Sequence, residues 1–76
     1  MDHYLDAKGL KCPLPVLRAK KAMRGVPPGE VLTVEATDPA APQDFRAFCE
    51  TTGHLLVSMR EIAGVCRIEI RRSTPD

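Results

Sequence analysis

The chain has 76 residues, a formal net charge of +1, and 43% hydrophobic against 28% charged residues, a balance that excludes a disordered chain and gives overall charge no nucleic-acid partner to attract. At this length it reads as one domain over residues 1–76, able to bury about 60% of its unfolded surface without staples. No run of about 20 apolar residues and no basic-then-apolar leader precedes the first strand, so the sequence is that of a soluble, cytoplasmic protein with no membrane partner.

His3-Tyr4-Leu5-Asp6 forms a short first strand, followed by a turn through Ala7-Lys8-Gly9 in which Gly9 makes positive φ cheap. A helix then runs from about Pro13 to Arg24. Val16, Ala19, Met23 and Val26 repeat at i, i+3 and i+7, with Leu17 widening the stripe, and Arg18, Lys20, Lys21 and Arg24 occupy the other face. Gly25 and Pro27-Pro28-Gly29 stop the helix and reverse the chain.

The start of this helix carries the chemistry. In Gly9-Leu10-Lys11-Cys12-Pro13-Leu14-Pro15, Cys12 is placed as N-cap with prolines at the first and third helical positions. Both prolines delete N–H groups that would have been orphans in any case. The Leu14 N–H is then free to point back at the Cys12 sulfur, and the helix dipole adds about half a positive charge there. With Lys11 adjacent and Lys8 near in sequence, the thiol is expected to ionise below the free value of about 8.5, within the roughly 3.5–7.5 range of thiols at helix N-termini or beside cations. A thiolate is the nucleophile of sulfur chemistry, so Cys12 is the candidate reactive residue, supported by Gly9, Lys11, Pro13, Leu14 and Pro15. The plain alternative is that Cys-Pro marks a helix start and the cysteine is a small hydrophobe.

Glu30 to Ala36 is a second strand, with Leu32, Val34 and Ala36 on one face and Val31, Thr33 and Glu35 on the other. Strand, helix and strand make a βαβ unit, with parallel strands and a right-handed crossover expected. A second helix is approached through Asp38-Pro39-Ala40-Ala41-Pro42. Taking Ala41 as N-cap and Pro42 as first residue avoids losing a backbone bond and puts Asp44 at the third position, where its carboxylate meets free N–H groups; Asp38 shapes the preceding turn. Phe45, Phe48, Cys49 and Thr52 form its stripe, and Gly53 ends it. Leu55 to Glu61 and Val65 to Arg71 are two further strands joined as an antiparallel hairpin, the last with Cys66, Ile68 and Ile70 inward. Residues 73–76 read as a frayed tail. The order is β-α-β-α-β-β, an α/β two-layer sandwich with both helices on one face of a four-stranded mixed sheet.

Cys12, Cys49 and Cys66 form an odd set with neither a disulfide framework nor a zinc spacing, which fits free thiols in a reducing compartment. Cys49 and Cys66 lie on apolar faces and read as core, and no ligand spacing joins His3 or His54 to Cys12.

These residues resemble the TusA/SirA-like family of small sulfur carriers. The resemblance rests on Leu5-Asp6, Gly9-Leu10, Cys12-Pro13-Leu14-Pro15, the Asp38-Pro39-Ala40 turn, Asp44 and Phe48-Cys49. It implies strand order 1-2-4-3 with strand 4 running against the others, and a sulfurtransferase activity in which Cys12 accepts sulfane sulfur as a persulfide and relays it to a partner. The implied donor is a cysteine desulfurase or rhodanese-type protein, and the implied acceptor serves tRNA thiolation, sulfur oxidation or another sulfur pathway. The covalent persulfide on Cys12 requires no metal or organic cofactor. The best-known tRNA-thiolation members carry Glu where this chain has Leu14, and threonines are common where it has Ala41-Pro42. Arg18, Lys20, Lys21 and Arg24 form either a solvated helix face or a docking patch for an acidic protein surface. Three aromatic residues and a small net charge argue against direct tRNA binding. Two other readings stand beside the carrier: a non-catalytic interaction or regulatory module, which needs no perturbed thiol, and a thiol redox protein, which needs a second cysteine.

Overall fold

The computed structural model describes residues 3–73. Its elements are β1 (His3–Ala7), α1 (Leu14–Met23), β2 (Val31–Ala36), α2 (Ala41–Thr52), β3 (Leu55–Ile62) and β4 (Val65–Arg71). They form a four-stranded sheet in the order β1-β2-β4-β3, with β1 and β2 parallel and β4 antiparallel to both β2 and β3. Fold class, strand order and strand directions are those expected from the sequence.

One face of the sheet is buried and the other is wet. Leu32, Val34 and Ala36 of β2 and Cys66, Ile68 and Ile70 of β4 point into the core, where they meet Ala19 and Met23 of α1 and Ala41, Phe45, Phe48 and Cys49 of α2. On the outer face, Tyr4 donates its hydroxyl to Glu35 at 2.6 Å and Ser58 donates to Glu69 at 2.6 Å, polar cross-strand pairs suited to solvent. Burying the apolar face of β2 and β4 against helices on one side only is what sets this two-layer form, while Leu55, Val57 and Ile62 of β3 stay exposed.

The elements depart locally from those expected. Helix α1 begins at Leu14 with Pro13 as N-cap, so Cys12 lies one residue outside the position expected for it. Leu17 does not widen the buried stripe; it is 52% exposed, whereas α1 turns Pro15, Ala19 and Met23 inward with Val16 and Ala22 packed beside them. Helix α2 begins at Ala41 with Ala40 as N-cap, one residue earlier than expected, and Pro42 still falls where its missing donor costs nothing. The tail expected over 73–76 falls mostly outside the described residues; Ser73, within them, donates its N–H to His54 Nδ1 at 3.0 Å.

Candidate functional site

Strands β1 and β2 are parallel, so the loops that leave them emerge at the same end of the sheet, and both lead into helices. The β1–α1 loop carries Cys12 and the β2–α2 loop carries Asp38. Side chains of the second loop hold the backbone of the first. Gly9, at φ 81°, donates its N–H to Thr37 Oγ1 at 2.9 Å, and Cys12 donates its N–H to Asp38 Oδ2 at 3.0 Å. Asp38 Oδ1 also accepts the Ala40 N–H at 2.7 Å, which makes Asp38 the shaper of its own turn, as expected from the sequence. These two N–H donors hold the Asp38 carboxyl below the usual carboxylate range, with Lys11 adding a weaker attraction.

Cys12 is exposed, whereas Cys49 and Cys66 are buried in the core. Burial pushes both inner thiols up, the direction of inert structural cysteines. The environment of Cys12 differs from the one expected. Its Sγ donates a hydrogen bond to Asp44 Oδ2, in the first turn of α2, at 2.9 Å. This bond favours the neutral thiol, and together with slight desolvation and the negative charges of Asp44 and Asp38 it pushes the thiol up rather than down.

The loop therefore does not support a thiolate in the manner inferred from sequence. The Leu14 N–H donates to Lys11 O at 2.8 Å, closing a turn ahead of the helix, so it is committed to the backbone. Pro13 and Pro15 have no N–H to give, and the Gly9 N–H is spent on Thr37. Lys11 acts on Asp38, and the Lys8 ammonium lies 3.7 Å from Glu35 and 4.0 Å from Asp6. The negative field of two aspartates outweighs the positive field that adjacency in sequence suggested. The partner that sequence reasoning missed is Asp44, which it placed as a helix-end acid; 32 residues separate it from Cys12.

Between the two helices runs an open groove of roughly 370 Å³ lined by Cys12, Val16, Leu17, Lys20, Asp44 and Phe48 among others. Cys12 and Asp44 stand at it together. The four basic residues of α1 and its C-cap, Arg18, Lys20, Lys21 and Arg24, are all exposed. Lys20 faces this groove, Arg18 and Lys21 line a second depression with Leu14 and Leu17, and Arg24 lies with Lys20 and Arg72. The histidines are elsewhere: His3 pairs with Glu30 at 2.8 Å, and His54 packs against Phe48. Among the described residues, no group of three or more His, Cys, Asp or Glu is placed to hold a metal ion.

The sequence matches the family model described as sulfurtransferase TusA over residues 3–72. It is 47% identical over 72 residues to the sulfur carrier protein TusA of Allochromatium vinosum, covering 95% of each chain. A protein of Neisseria meningitidis serogroup B, named as a proposed sulfur carrier, is 55% identical over 67 residues, 88% of this chain and 90% of that one. Among solved structures, the crystal structure of the SirA-like protein from Desulfitobacterium hafniense superposes with a TM-score of 0.81 at 30% identity, covering 97% of this chain and 100% of that one.

Proposed function

The chain belongs to the sulfurtransferase TusA family, and from that premise we propose that it is a sulfur carrier that accepts sulfane sulfur as a persulfide on Cys12 and relays it to a partner protein. The observation that carries this reading is that the one exposed cysteine among the described residues stands on a loop held by Asp38, at the mouth of an open groove. Transfer proceeds by attack of the Cys12 sulfur on the outer sulfur of a donor persulfide, with the donor's own sulfur leaving as thiolate. A carrier must meet a donor and then an acceptor, and an exposed sulfur beside an apolar groove serves both encounters.

The donor in this reading is a cysteine desulfurase or a rhodanese-type protein, and the acceptor belongs to tRNA thiolation or another sulfur-trafficking pathway. Leu17, 52% exposed, lines the groove with Cys12, and Leu14, 43% exposed, adds apolar surface at the start of the same helix, while Arg18, Lys20, Lys21 and Arg24 favour acidic partner surfaces. The free thiols fit a reducing, cytoplasmic setting. No helix among the described residues is long and apolar enough to cross a membrane.

A cysteine desulfurase with cysteine as its sulfur source supplies the test, read by intact mass spectrometry. The wild type is expected to gain one sulfur atom that reductant removes, and Cys12→Ser to gain none; equal loading of the two proteins would reject Cys12 as the acceptor. One observation favours a second reading, an interaction module. A thiol pushed up by its neighbours is what a non-reactive cysteine at a helix start would show. Such a module keeps its partner in the Cys12→Ser form and takes up no sulfur in the wild type.

A further inference from the structure

We propose that Asp44 is a catalytic residue of the sulfur step, its carboxylate being the fixed acceptor for the Cys12 proton. The inference rests on Cys12 being the sulfur acceptor and explains how a thiol held in its neutral form can still attack.

The geometry carries it. The 2.9 Å from Cys12 Sγ to Asp44 Oδ2 lies within the roughly 2.6–3.2 Å reach expected of a general base. The carboxylate is delivered by a rigid element. Asp44 donates its N–H to Ala40 O at 3.0 Å in the first turn of α2, and its neighbours Ala41 and Phe45 are 2% and 0% exposed. A side chain held by buried neighbours does not have to be recruited when the donor arrives.

The other charged groups around the sulfur do not fill this role. Asp38 spends one oxygen on Ala40 N and the other on Cys12 N. Lys11 and Lys20 are cations, Lys11 acting on Asp38 and Lys20 facing the groove. His3 and His54 lie at other sites, against Glu30 and Phe48. The upward displacement of the thiol is the same hydrogen bond seen in the resting state: the carboxylate holds the S–H until an electrophilic sulfur is present.

The step balances without an added oxidant or reductant. A donor persulfide R–S–SH meets Cys12–SH and the Asp44 carboxylate. A bond forms between Cys12 Sγ and the outer donor sulfur, and the donor S–S bond breaks. R–S⁻ leaves with the electron pair, and the proton of Cys12 passes to Asp44. The products are Cys12–S–SH, R–S⁻ and a protonated Asp44, which then returns its proton to solvent or to the leaving thiolate.

The test compares wild type, Asp44→Asn and Asp44→Glu in the full chain, with glutathione persulfide as donor, by single-turnover loading across a range of pH. Because the donor ionises identically in each reaction, the ratio of wild-type to Asp44→Asn rates isolates the protein's contribution. Wild type loads from the neutral thiol through Asp44, whereas Asp44→Asn depends on its thiolate fraction, so the ratio should grow by up to about tenfold per pH unit lowered. Asp44→Glu should recover part of the loss, and Asp44→Asn should titrate its Cys12 thiol at lower pH by ultraviolet thiolate absorbance, taken as the difference from Cys12→Ser. A wild-type-to-Asn ratio that stays flat with pH, while wild type loads, overturns the role of Asp44 and leaves Cys12 as carrier. Absence of loading in the wild type overturns the carrier reading and this role with it, and the thiol titrations then report only the hydrogen bond.

Discussion

Replacement of Phe45 by alanine tests whether the single-faced core holds the site in place. Phe45 is fully buried, and its ring meets Phe48 edge to face at 6.3 Å between centroids and 81° between planes. Removing a buried phenylalanine costs about 3–5 kcal/mol, including the cavity left behind, and an aromatic pair accounts for about 0.5–1.5 kcal/mol of such a loss. At 0.05–0.15 kcal/mol per residue, a chain of this length has about 4–11 kcal/mol to lose. Phe45→Ala should therefore remove about a quarter or more of the stability, and all of it at the low end of that range. Phe45→Leu keeps most of the volume, and a loss of about 1–2 kcal/mol is expected from the missing ring contact and imperfect packing. Urea unfolding followed by far-ultraviolet circular dichroism measures both, with equal slopes required before midpoints are compared. A loss below about 1 kcal/mol for Phe45→Ala would refute the assignment of Phe45 as the main anchor of α2.

Asp38→Ala removes the acceptor of both the Cys12 and Ala40 N–H groups, so faster hydrogen exchange at the Cys12 amide and a lower melting temperature are expected; unchanged exchange would contradict the clamp. Since the folded Asp38 carboxyl titrates below its unfolded value, its contribution is fully present above about pH 3.9 and is lost as pH falls through the lower folded value, so the melting curves of wild type and variant should converge in acid. Ala63→Asn places a residue tolerant of positive φ at φ 53° beside Gly64 at φ 80°, in the two-residue turn between β3 and β4. A gain of about 0.5–1 kcal/mol in thermal unfolding is expected, and a loss would count against the turn geometry.

Much of the fold could be read from the sequence because each strand carries its own pattern. Ile68 and Ile70 alternate with Arg67, Glu69 and Arg71, and that period of two suffices to mark which face is buried. The place of the exposed Cys12 at a helix start was legible for a similar local reason, two prolines fixing roughly where a helix could begin. The state of that cysteine was not local. The Leu14 amide is taken by Lys11 two residues before the first helical bond of α1, from Leu17 N–H to Pro13 O, a detail of turn geometry that residue types do not encode. Asp44 reaches the sulfur because two parallel strands send their helices out at one end of the sheet, a juxtaposition that exists only after β1 and β2 have paired. Helix-stripe arithmetic likewise overestimated α1: Leu17 fits the period yet stays 52% exposed, lining the open groove between the helices rather than the core.

The most direct measurement is the location of the transferred sulfur in the wild-type chain. After loading from a cysteine desulfurase, persulfides are trapped by alkylation and mapped by peptide mass spectrometry. The account predicts the extra sulfur on the peptide holding Cys12 and none on those holding Cys49 or Cys66, whereas sulfur on either buried cysteine, or on no cysteine at all, would contradict it.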